Sequence, residues 1–494
     1  MSDWLGEILA RAEEAPEAPA LRVPGASVTS RADFLAECER VRATLVAAGI
    51  QSGEPVALFL PSGADLIRAF FAVASLSAIA VPLSPSLTPY ELPELLALSE
   101  PQILVTQREV WERFESSVWL VHVRHVVFLD EAPQGEPPKG VRWSGLGQAR
   151  SRLDSPAPDA IVGCHFTYKG LGAPLGALHR YRSYGIAADA LAAPHPGRGA
   201  VLVVLPFHQV YGLVASVITP LTRGCCLVLP SRFNPRRFLE LIVEEDARYL
   251  SLVPGLIPFL VSAARRKPEL AAQVSRELVL TSGGTLLEAE LGGQLEEALG
   301  VSVFQGYGLS ETLPFTANDP ARQRLGSLGW PIGSDYQVEV RDADGAPVPA
   351  GQAGEVWLKG PTLMVGYRRR PRETARFLRE GWLQTGDLGH LDAEGCLHFL
   401  GRREPFTKIG GQMVDLLEVE NVLQRHPAVA EACAFPQRGR GGQPELAAAV
   451  ILAGRSGVRL GELFALARER LSPHKVPRRI KIYRAHYERF DAEF

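Results

Sequence analysis

The segment GWLQTGDLGHLDAEGCLHFLGRREPFTKIGG, residues 381–411, lies where the character of the chain changes. Upstream of it, short apolar strand patterns alternate with helical patterns. Beyond residue 401 comes an α+β pattern whose length is near the lower limit for an independent domain. A chain of 494 residues is also too long for a single core. The sequence therefore predicts a large N-terminal domain over 1–400 and a small α+β C-terminal domain over 401–494.

The large domain is predicted to be α/β. Its strand candidates are continuously apolar, which is typical of parallel strands buried on both faces. They alternate with helices, one of which should begin at Ser30 and end at Gly49, and this order predicts helix-covered sheets. From about 325 to 400, strands joined by Asp-Gly and Pro-Gly turns indicate a β-rich subdomain. The strand candidates before it are PVALFLP (55–61), AIAVPL (78–83), QILVT (102–106), HVVFLD (125–130), AVLVVLP (200–206), CCLVLP (225–230), YLSLVP (249–254) and ELVLTSG (277–283).

The composition excludes several classes of protein. The chain is 46% hydrophobic and 22% charged with a net charge of −3, and it has no long basic block, so nucleic acid is not an expected partner. Its six cysteines have no CxxC pair and no histidine at metal-ligand spacing, so we expect buried free thiols. No signal peptide is evident. The uncharged run between Arg68 and Glu91 is interrupted by prolines, so we predict no membrane span and a cytoplasmic protein.

Three further segments are candidates for chemistry. HFTYKGLGAPLGALHR (165–180) is glycine-rich like a phosphate-binding loop but lacks the Lys-Ser/Thr ending, and alone it is more often a surface turn. In FQGYGLSETLP (304–314), a strand ending in Gly-Tyr-Gly would expose N–H groups and hydroxyls to phosphate. Glu311 there suggests a Mg²⁺ ion. The alternative is a helix start capped by Ser310.

The third candidate is Asp387, expected in a Thr-Gly-Asp turn. A carboxylate offers two acceptor oxygens and could therefore bind both hydroxyls of a ribose. Arg402 could add a fork of donors to ribose or phosphate. The alternatives are an Asx-type turn and a surface arginine.

Taken together and in order, these motifs resemble the adenylate-forming superfamily of acyl- and aryl-CoA synthetases, luciferases and nonribosomal peptide adenylation domains. The likeness runs along nearly the whole chain, from GEPVALFLPSGADLIRAFFAVASLSAIAVPLSPSLTPYEL through LPFHQVYGL, LTSGGTLL, YGLSET, GSLGWPIG and GEVWLKGPTLMVGY to HKVPRRI. The resemblance implies ATP and Mg²⁺ as cofactors, CoA or phosphopantetheine as acyl acceptor, and a mobile C-terminal lid.

The resemblance also implies roles for individual residues. Glu311 would bind Mg²⁺, Thr312 would contact phosphate, and Asp387 would hold the ribose beside Arg402. Glu404 falls at the hinge of the lid. The adenine would be contacted by Tyr307, Gly283 and Gly284. The phosphate loop would comprise Thr167, Lys169, Gly170, Gly172 and Gly176. The swinging loop that lines the thiol tunnel would comprise Lys408, Gly410 and Gly411.

The substrate class is indicated by LPFHQVYGL (205–213). Amino-acid-activating relatives place an aspartate near here, whereas this chain has Phe207, His208 and Tyr211. The resemblance therefore implies a fatty or aryl acid without an α-amine. His208 matches the family's residue near the carboxylate, and a half-buried structural histidine is the equal alternative.

Two departures from the family pattern concern lysines. Leu175 occupies the position of the usual loop lysine, and Lys169 is the one cation left in the loop. The printed sequence has no lysine after Lys481, where relatives carry a Gly-Lys pair. Such cations can contribute about a thousandfold in rate. Either Lys169 and a substitute such as Arg489 compensate, or adenylation is slow or lost.

The resulting prediction is an AMP-forming acid–thiol ligase that joins a fatty or aryl acid to CoA or to a carrier-protein pantetheine. A free-standing acyl carrier protein is a possible partner, since no carrier domain is fused to this sequence. Two alternatives remain open. One is a catalytically weakened homologue that binds nucleotide or acyl-adenylate as a regulatory module. The other is an enzyme of the same fold that takes a preformed acyl-adenylate to a thioester or an amide.

Overall fold

The computed structural model describes most of the chain. Glu404, Arg489 and Phe494 lie outside the described residues, as do the side chains of Phe406 and Arg484. The described residues are 3–114, 120, 122–192, 199–231, 234–402, 406–439, 443–452 and 458–484.

The strands are, in chain order, β1 (Pro19–Arg22), β2 (Val28–Ser30), β3 (Pro55–Phe59), β4 (Ile79–Leu83), β5 (Ile103–Thr106), β6 (His125–Phe128), β7 (Arg142–Gly145), β8 (Ile161–Tyr168), β9 (Pro174–Arg180), β10 (Ala200–Leu202), β11 (Cys226–Val228), β12 (Ala247–Leu252), β13 (Val279–Ser282), β14 (Val303–Leu309), β15 (Leu313–Ala317), β16 (Trp330–Pro331), β17 (Gln337–Arg341), β18 (Gly354–Lys359), β19 (Gly366–Tyr367), β20 (Leu378–Arg379), β21 (Trp382–Leu391), β22 (Leu397–Arg402), β23 (Phe406–Ile409), β24 (Gln412–Asp415), β25 (Val429–Arg438), β26 (Pro444–Leu452) and β27 (Arg479–Arg484).

The α-helices are α1 (Trp4–Glu14), α2 (Arg31–Ala47), α3 (Ala64–Ser75), α4 (Leu92–Ser99), α5 (Arg108–Trp111), α6 (Tyr181–Leu191), α7 (Val210–Leu213), α8 (Thr219–Thr222), α9 (Phe238–Glu244), α10 (Ile257–Arg266), α11 (Pro268–Ala271), α12 (Ala289–Leu299), α13 (Pro371–Phe377), α14 (Leu416–Gln424) and α15 (Leu460–Arg470). A π-helical turn, Val214–Ile218, joins α7 to α8.

The contacts within the chain divide it into two compact units. Unit 1 comprises residues 1–85, 95–167 and 175–403, and unit 2 comprises 86–94, 168–174 and 404–494. Two short internal segments therefore belong with the C-terminal part of the chain. The domain boundary at 400/401 stays a prediction.

Unit 1 contains two large sheets, which confirms the α/β expectation. One has eight strands in the order β19-β9-β8-β4-β3-β5-β6-β7, and the other has nine in the order β16-β15-β14-β13-β12-β10-β11-β1-β2. Their central strands are parallel. Antiparallel strands lie at both ends of the nine-stranded sheet and at the β19 end of the eight-stranded sheet, whereas β7 at its other end is parallel to β6. All eight strand candidates before residue 300 are strands.

Helices pack on these sheets through large side chains. Helix α2 begins as expected at Ser30, whose hydroxyl accepts a hydrogen bond from the backbone N–H of Asp33 at 3.1 Å. Its neighbour α3 buries Phe70 and Phe71, and the ring of Phe71 lies 5.1 Å from that of Trp4. Burying one such ring contributes about 1.5–3 kcal/mol, so this aromatic cluster stabilises the sheet–helix interface.

The β-rich part of unit 1 is a five-stranded sheet of β17, β18, β20, β21 and β22. Its hairpin β17–β18 turns at the predicted Asp-Gly site, where the backbone N–H of Gly345 bonds to the carbonyl of Asp342 at 3.2 Å. Strands β21 and β22 pair so that Asp387 is directly opposite Arg402. The strand pairing therefore brings two of the predicted site residues together.

Unit 2 has a three-stranded sheet, β25-β26-β27, and a separate hairpin, β23–β24. Helices α14 and α15 bury Leu423 and Leu463 in a core that also contains Val450 from β26. The α+β pattern predicted for this part of the chain is confirmed.

Three local predictions were wrong. The Gly-Tyr-Gly segment does not end a strand, because β14 continues through Leu309 and pairs with β15. Asp387 lies inside β21 rather than in a turn, since ladder bonds to β22 hold it extended. Cys433 is exposed on the outer face of β25, whereas the other five cysteines are buried, and all six are free thiols.

None of the helices in the described part of the chain combines the length and the apolar character needed to cross a lipid bilayer.

Candidate active site

The best-defined polar group in unit 1 surrounds Asp387, which is fully buried. The hydroxyl of Tyr307 donates a 2.6 Å hydrogen bond to its Oδ2, and Nε of Arg402 lies 3.2 Å from its Oδ1. Burial and the neighbouring carboxylate hold the pKa of Tyr307 well above its ordinary value, so the phenol stays protonated and donates. The structure thus brings together three residues that the sequence singled out separately.

One oxygen of this carboxylate retains acceptor capacity. Oδ1 of Asp387 accepts no hydrogen bond from the described residues, so its contact with Arg402 is an ion pair without hydrogen-bond alignment. Leaving such a buried acceptor unsatisfied costs about 1–3 kcal/mol, which a ligand hydroxyl would recover. Asp387 is held in place by its own N–H, which donates to Oγ1 of Thr385 at 3.0 Å. The carboxylate is therefore ready to accept a hydroxyl donor.

The turn between β14 and β15 fixes Glu311 and Thr312. The N–H of Leu309 donates to Oγ1 of Thr312 at 2.9 Å, and that hydroxyl donates to the carbonyl of Leu313 at 2.8 Å. The segment is a β-turn and not the capped helix start that was the alternative. Because the single hydroxyl proton of Thr312 is already donated, a bond from it to phosphate would require the turn to rearrange.

Glu311 itself is a buried carboxylate with an oriented oxygen. Its Oε1 accepts a 2.7 Å hydrogen bond from the hydroxyl of Tyr367 in β19. Burial and the charge of Glu311 raise the pKa of Tyr367 well above its ordinary value, so this phenol is a permanent donor. A buried carboxylate is stable when it is hydrogen-bonded and paired with a cation, so these surroundings suit a metal ligand.

Two further residues near Glu311 are not evident from the sequence. Tyr367 ends the motif GEVWLKGPTLMVGY, and only its bond to Glu311 reveals a role. His179 donates from Nε2 to the carbonyl of Ser310 at 2.7 Å, and burial lowers the pKa of this imidazole to about 4. It therefore stays neutral and fixes the backbone beside Glu311.

Gly283 and Gly284 directly follow β13. A Cβ on Gly283 would lie 3.0 Å from the ring of Tyr211, so only glycine allows this tyrosine to lie against the chain. Gly284 has a φ of +85°, a conformation that favours glycine. The hydroxyl of Tyr211 is 3.3 Å from Oγ1 of Thr281. The structure therefore places the proposed adenine and acid motifs side by side.

His208 follows β10 and is half-buried. Burial lowers the pKa of its imidazole to about 4, and the described residues offer Nδ1 no hydrogen-bond partner. Oγ1 of Thr167 is likewise buried without a hydrogen-bond partner among them. Both groups are thus able to bind a polar ligand atom.

Gly176 has a packing role. A Cβ there would lie 2.7 Å from Sγ of Cys164 in the neighbouring strand, so the absence of a side chain lets β8 and β9 approach. Most of the glycine-rich segment 165–180 therefore lies in two strands of the eight-stranded sheet, and only residues 169–173 form a loop.

The loop residues belong to unit 2. Lys169 is buried, and Gly170 and Gly172 have φ values of +65° and +70°. The N–H of Gly172 donates to Oδ2 of Asp415 at 3.0 Å. The loop is thus bonded to the start of α14.

The residues predicted for the swinging loop form the turn of the hairpin β23–β24. Lys408 pairs with Met413 across the hairpin, and Gly410 and Gly411 have φ values of +57° and +81° at its tip. The two glycines are required by this turn. The predicted hinge residue, Glu404, lies outside the described residues.

Unit 2 also contains a buried cation, Lys475 of the segment HKVPRRI. Nζ of Lys475 lies 2.7 Å from Oε1 of Glu91, 2.9 Å from Oε1 of Glu418 and 3.0 Å from the hydroxyl of Tyr168. These four residues come from distant parts of the sequence, so periodicity could not reveal the cluster.

One possible metal-ligand group lies elsewhere in unit 1. Asp392, Cys396 and His398 have ligand atoms within 4.8 Å of one another, contrary to the expectation that no histidine neighbours a cysteine at ligand spacing. Asp392 already accepts the backbone N–H of Cys396 at 2.8 Å and pairs with Arg324. A cation there would face the arginine, so we interpret the group as a hydrogen-bonded turn.

Comparisons with known proteins indicate the family to which the chain belongs. The sequence pattern of the family described as AMP-binding enzyme matches residues 8–368, and that of the AMP-binding enzyme C-terminal domain matches 418–486. The chain is 30% identical to a sulfoacetate–CoA ligase from Cupriavidus necator over 87% of this chain and 84% of that protein.

Solved structures give the same result. An amide bond synthetase from Marinactinospora thermotolerans superposes with a TM-score of 0.86 at 26% identity, covering 98% of this chain and 96% of that one. An o-succinylbenzoate CoA synthetase from Bacillus subtilis superposes with a TM-score of 0.83 at 26% identity, covering 98% and 95%. The chain therefore belongs to the AMP-binding enzymes of the adenylate-forming superfamily and is an acyl-CoA synthetase-like enzyme.

Proposed function

We propose that this enzyme activates a fatty or aryl carboxylic acid with ATP, forms an acyl-adenylate, and transfers the acyl group to the thiol of CoA. The observation on which this depends is the buried Asp387 carboxylate. Tyr307 anchors it through Oδ2, while Oδ1 accepts no hydrogen bond from the part of the chain that the structure describes. A ribose offers two adjacent hydroxyl donors, which complement a carboxylate. Family membership makes ATP the natural source of that ribose.

The remaining nucleotide contacts are proposed from residues of both units. Tyr307 and the Gly283–Gly284 backbone are the proposed adenine contacts, and Arg402 lies beside the ribose carboxylate. Thr167 has a buried hydroxyl without a partner among the described residues, which suits a phosphate oxygen. The glycines Gly170 and Gly172 are the proposed backbone cradle for the phosphates.

Glu311 is the proposed Mg²⁺ ligand. The residues present fit the ion, because the carboxylate is buried and Tyr367 orients one of its oxygens. When bound, Mg²⁺ would neutralise phosphate charge as pyrophosphate leaves. Attack of a carboxylate anion on a phosphate is otherwise opposed by charge repulsion, so cation placement and fixed geometry are the main contributions expected of the protein.

The acid is proposed to lack an α-ammonium group. Segment 205–213 contains no carboxylate that could pair with one, and it presents Phe207, His208 and Tyr211 instead. Because burial keeps His208 neutral, its imidazole can donate to the substrate carboxylate without forming an ion pair. The curated relatives include a feruloyl-CoA synthase and a long-chain-fatty-acid–CoA ligase, which act on acids of the two proposed kinds.

The acceptor is proposed to be CoA, with the pantetheine of a free-standing carrier protein as the competing thiol. An amine is a third acceptor to test, because one of the similar structures is an amide bond synthetase. All three acceptors react with the same acyl-adenylate, so the first half-reaction is common to them.

The test is acid-dependent exchange of labelled pyrophosphate into ATP, measured over fatty and aryl acids. We expect exchange in the wild type and its loss in Glu311→Gln. The matched control is Glu355→Gln, because Glu355 is also buried in unit 1 but accepts a hydrogen bond from the backbone N–H of Gly386 at 3.1 Å.

Nucleotide binding without pyrophosphate exchange for any acid would instead support a catalytically weakened homologue. Thioester formed only from supplied acyl-adenylate would support the enzyme that omits adenylation.

A further inference from the structure

The loop formed by residues 169–173 is fixed at both ends by contacts within unit 2. At its start, the hydroxyl of Tyr168 accepts a hydrogen bond from Nζ of Lys475 at 3.0 Å, and the ammonium also lies 4.7 Å from the centre of the Tyr168 ring. At its other end, the N–H of Gly172 is bonded to Asp415 at 3.0 Å. The contacts of segment 168–174 accordingly group it with unit 2.

Lys475 is held rigidly by carboxylates from two separate segments. Glu91 is 2.7 Å away and is itself bonded to the hydroxyls of Ser472, at 2.6 Å, and Thr88, at 3.0 Å. Glu418 in α14 is 2.9 Å from the same ammonium. With its ammonium almost completely buried and held by three side chains, Lys475 is a fixed point rather than a mobile cation.

The charges of the cluster make this arrangement stable. Burial alone would lower the pKa of Lys475, but Tyr168, Glu418 and Glu91 hold it well above its ordinary value, so the side chain stays an ammonium. Burial alone would raise the pKa of Glu91, but Lys475 and Ser472 hold it below its ordinary value. The Glu91–Lys475 ion pair therefore persists over the physiological pH range.

This loop has particular need of such an anchor. Leu175, just after the loop, stands in place of the usual lysine. Beside Thr167 and Lys169, the proposed phosphate contacts are therefore backbone N–H groups, whose directions change with loop conformation. Gly170 and Gly172, both at positive φ, give the loop many alternative conformations when it is unrestrained. Ordering a flexible loop costs entropy, which a preformed anchor reduces.

We propose that Lys475 is a positioning residue for adenylation: held by Glu91 and Glu418, it fixes the phosphate loop through Tyr168. This inference rests on the proposed function. It gives Tyr168, the last residue of β8, a role in holding the loop. Lys475 acts on the loop and does not itself touch the phosphates.

The variant for the test is Tyr168→Phe, which removes the hydroxyl and keeps the ring over the ammonium. Removing Lys475 would leave two buried carboxylates without their cation and would destabilise the fold. The matched control is Tyr90→Phe, because the Tyr90 hydroxyl donates to Glu469 at 2.6 Å on the exposed surface of unit 2.

Two measurements decide the question. In hydrogen–deuterium exchange of a peptide spanning 166–176, we expect the loop amides of Tyr168→Phe to exchange about tenfold faster, and those of Tyr90→Phe at the wild-type rate. In pyrophosphate exchange, we expect the KM for ATP to rise about tenfold in Tyr168→Phe. Thioester formation from supplied acyl-adenylate should be unchanged, since that step has no triphosphate to hold.

The outcomes separate this inference from the proposed function. If the wild type shows no pyrophosphate exchange with any acid, the proposed function fails, while the amide exchange still tests the anchor. Loop amides that exchange at the wild-type rate in Tyr168→Phe would overturn the positioning role. An unchanged KM for ATP, or an equal loss in both half-reactions, would also overturn it.

Discussion

The hydroxyl of Tyr307 and the carboxylate of Asp387 are joined by a 2.6 Å hydrogen bond between residues 80 positions apart in the sequence. The bond occupies Oδ2 and leaves Oδ1 of Asp387 facing Arg402. Because a protonated phenol can only donate to a carboxylate oxygen, the bond fixes which oxygen is available to a ligand. This relationship leads to the first prediction.

We expect Asp387→Asn to weaken binding of Mg·ATP by about thirtyfold, since a hydrogen bond to a charged acceptor contributes about 2 kcal/mol. The asparagine keeps the shape of the side chain but loses the charge and one acceptor oxygen. Isothermal titration calorimetry measures the effect directly. Unchanged affinity would show that the ribose is not bound by this carboxylate, and Glu355→Gln serves as the control for a nearby buried carboxylate.

We expect Tyr367→Phe to lower the rate of pyrophosphate exchange about tenfold at saturating ATP, which corresponds to ~1.4 kcal/mol. The variant removes only the hydroxyl that orients Oε1 of Glu311. Steady-state exchange at several Mg²⁺ concentrations checks the reason, because a poorly oriented ligand should raise the Mg²⁺ requirement. A normal rate and Mg²⁺ dependence would mean that Tyr367 serves packing alone.

The fold was predictable because its signals are local. Continuous apolar segments such as 55–61 and 102–106 form central strands of a sheet, and the Ser30 cap begins α2 where expected. The error at Asp387 has a tertiary cause. Thr-Gly-Asp is turn-like by composition, and Gly386 does have a φ of +79°. Asp387 itself nevertheless pairs with Arg402 of β22 and is part of the strand. Local preference was overridden there by the strand ladder.

The site was only partly predictable for a related reason. Asp387, Arg402 and Glu311 could be singled out because their residue types suit the chemistry. Their supporting partners could not, since the bond between Tyr367 and Glu311 spans 56 residues and that between Lys475 and Glu91 spans 384. Such pairs are set by packing and leave no periodic pattern in the sequence.

We expect His208 to contribute no inflection to the pH dependence of kcat/KM for the acid between about pH 5.5 and 8.5. Burial lowers the pKa of its imidazole to about 4, so in the free enzyme the ring is neutral throughout that range. His208→Asn should lower kcat/KM by a constant factor across the profile. An inflection near pH 6.5 that disappears in the variant would contradict a neutral, buried His208.

We expect the thermal stability of Glu418→Gln to rise relative to the wild type as the pH increases from 5 to 8. Burial raises the pKa of Glu418 from 4.5 to about 7, despite the opposing effect of Lys475. A carboxyl group whose pKa is raised by folding stabilises the folded state fully when the pH is below 4.5, its ordinary pKa. This contribution is lost as the pH rises through 7, its pKa in the folded protein. The full shift corresponds to about 3 kcal/mol, so the difference in melting temperature between the two proteins should favour the variant progressively as the pH rises.

Differential scanning calorimetry at several pH values measures this difference, with Glu469→Gln as the exposed control. A difference that does not change with pH would show that Glu418 stays ionised beside Lys475 throughout, because the ammonium then outweighs the effect of burial.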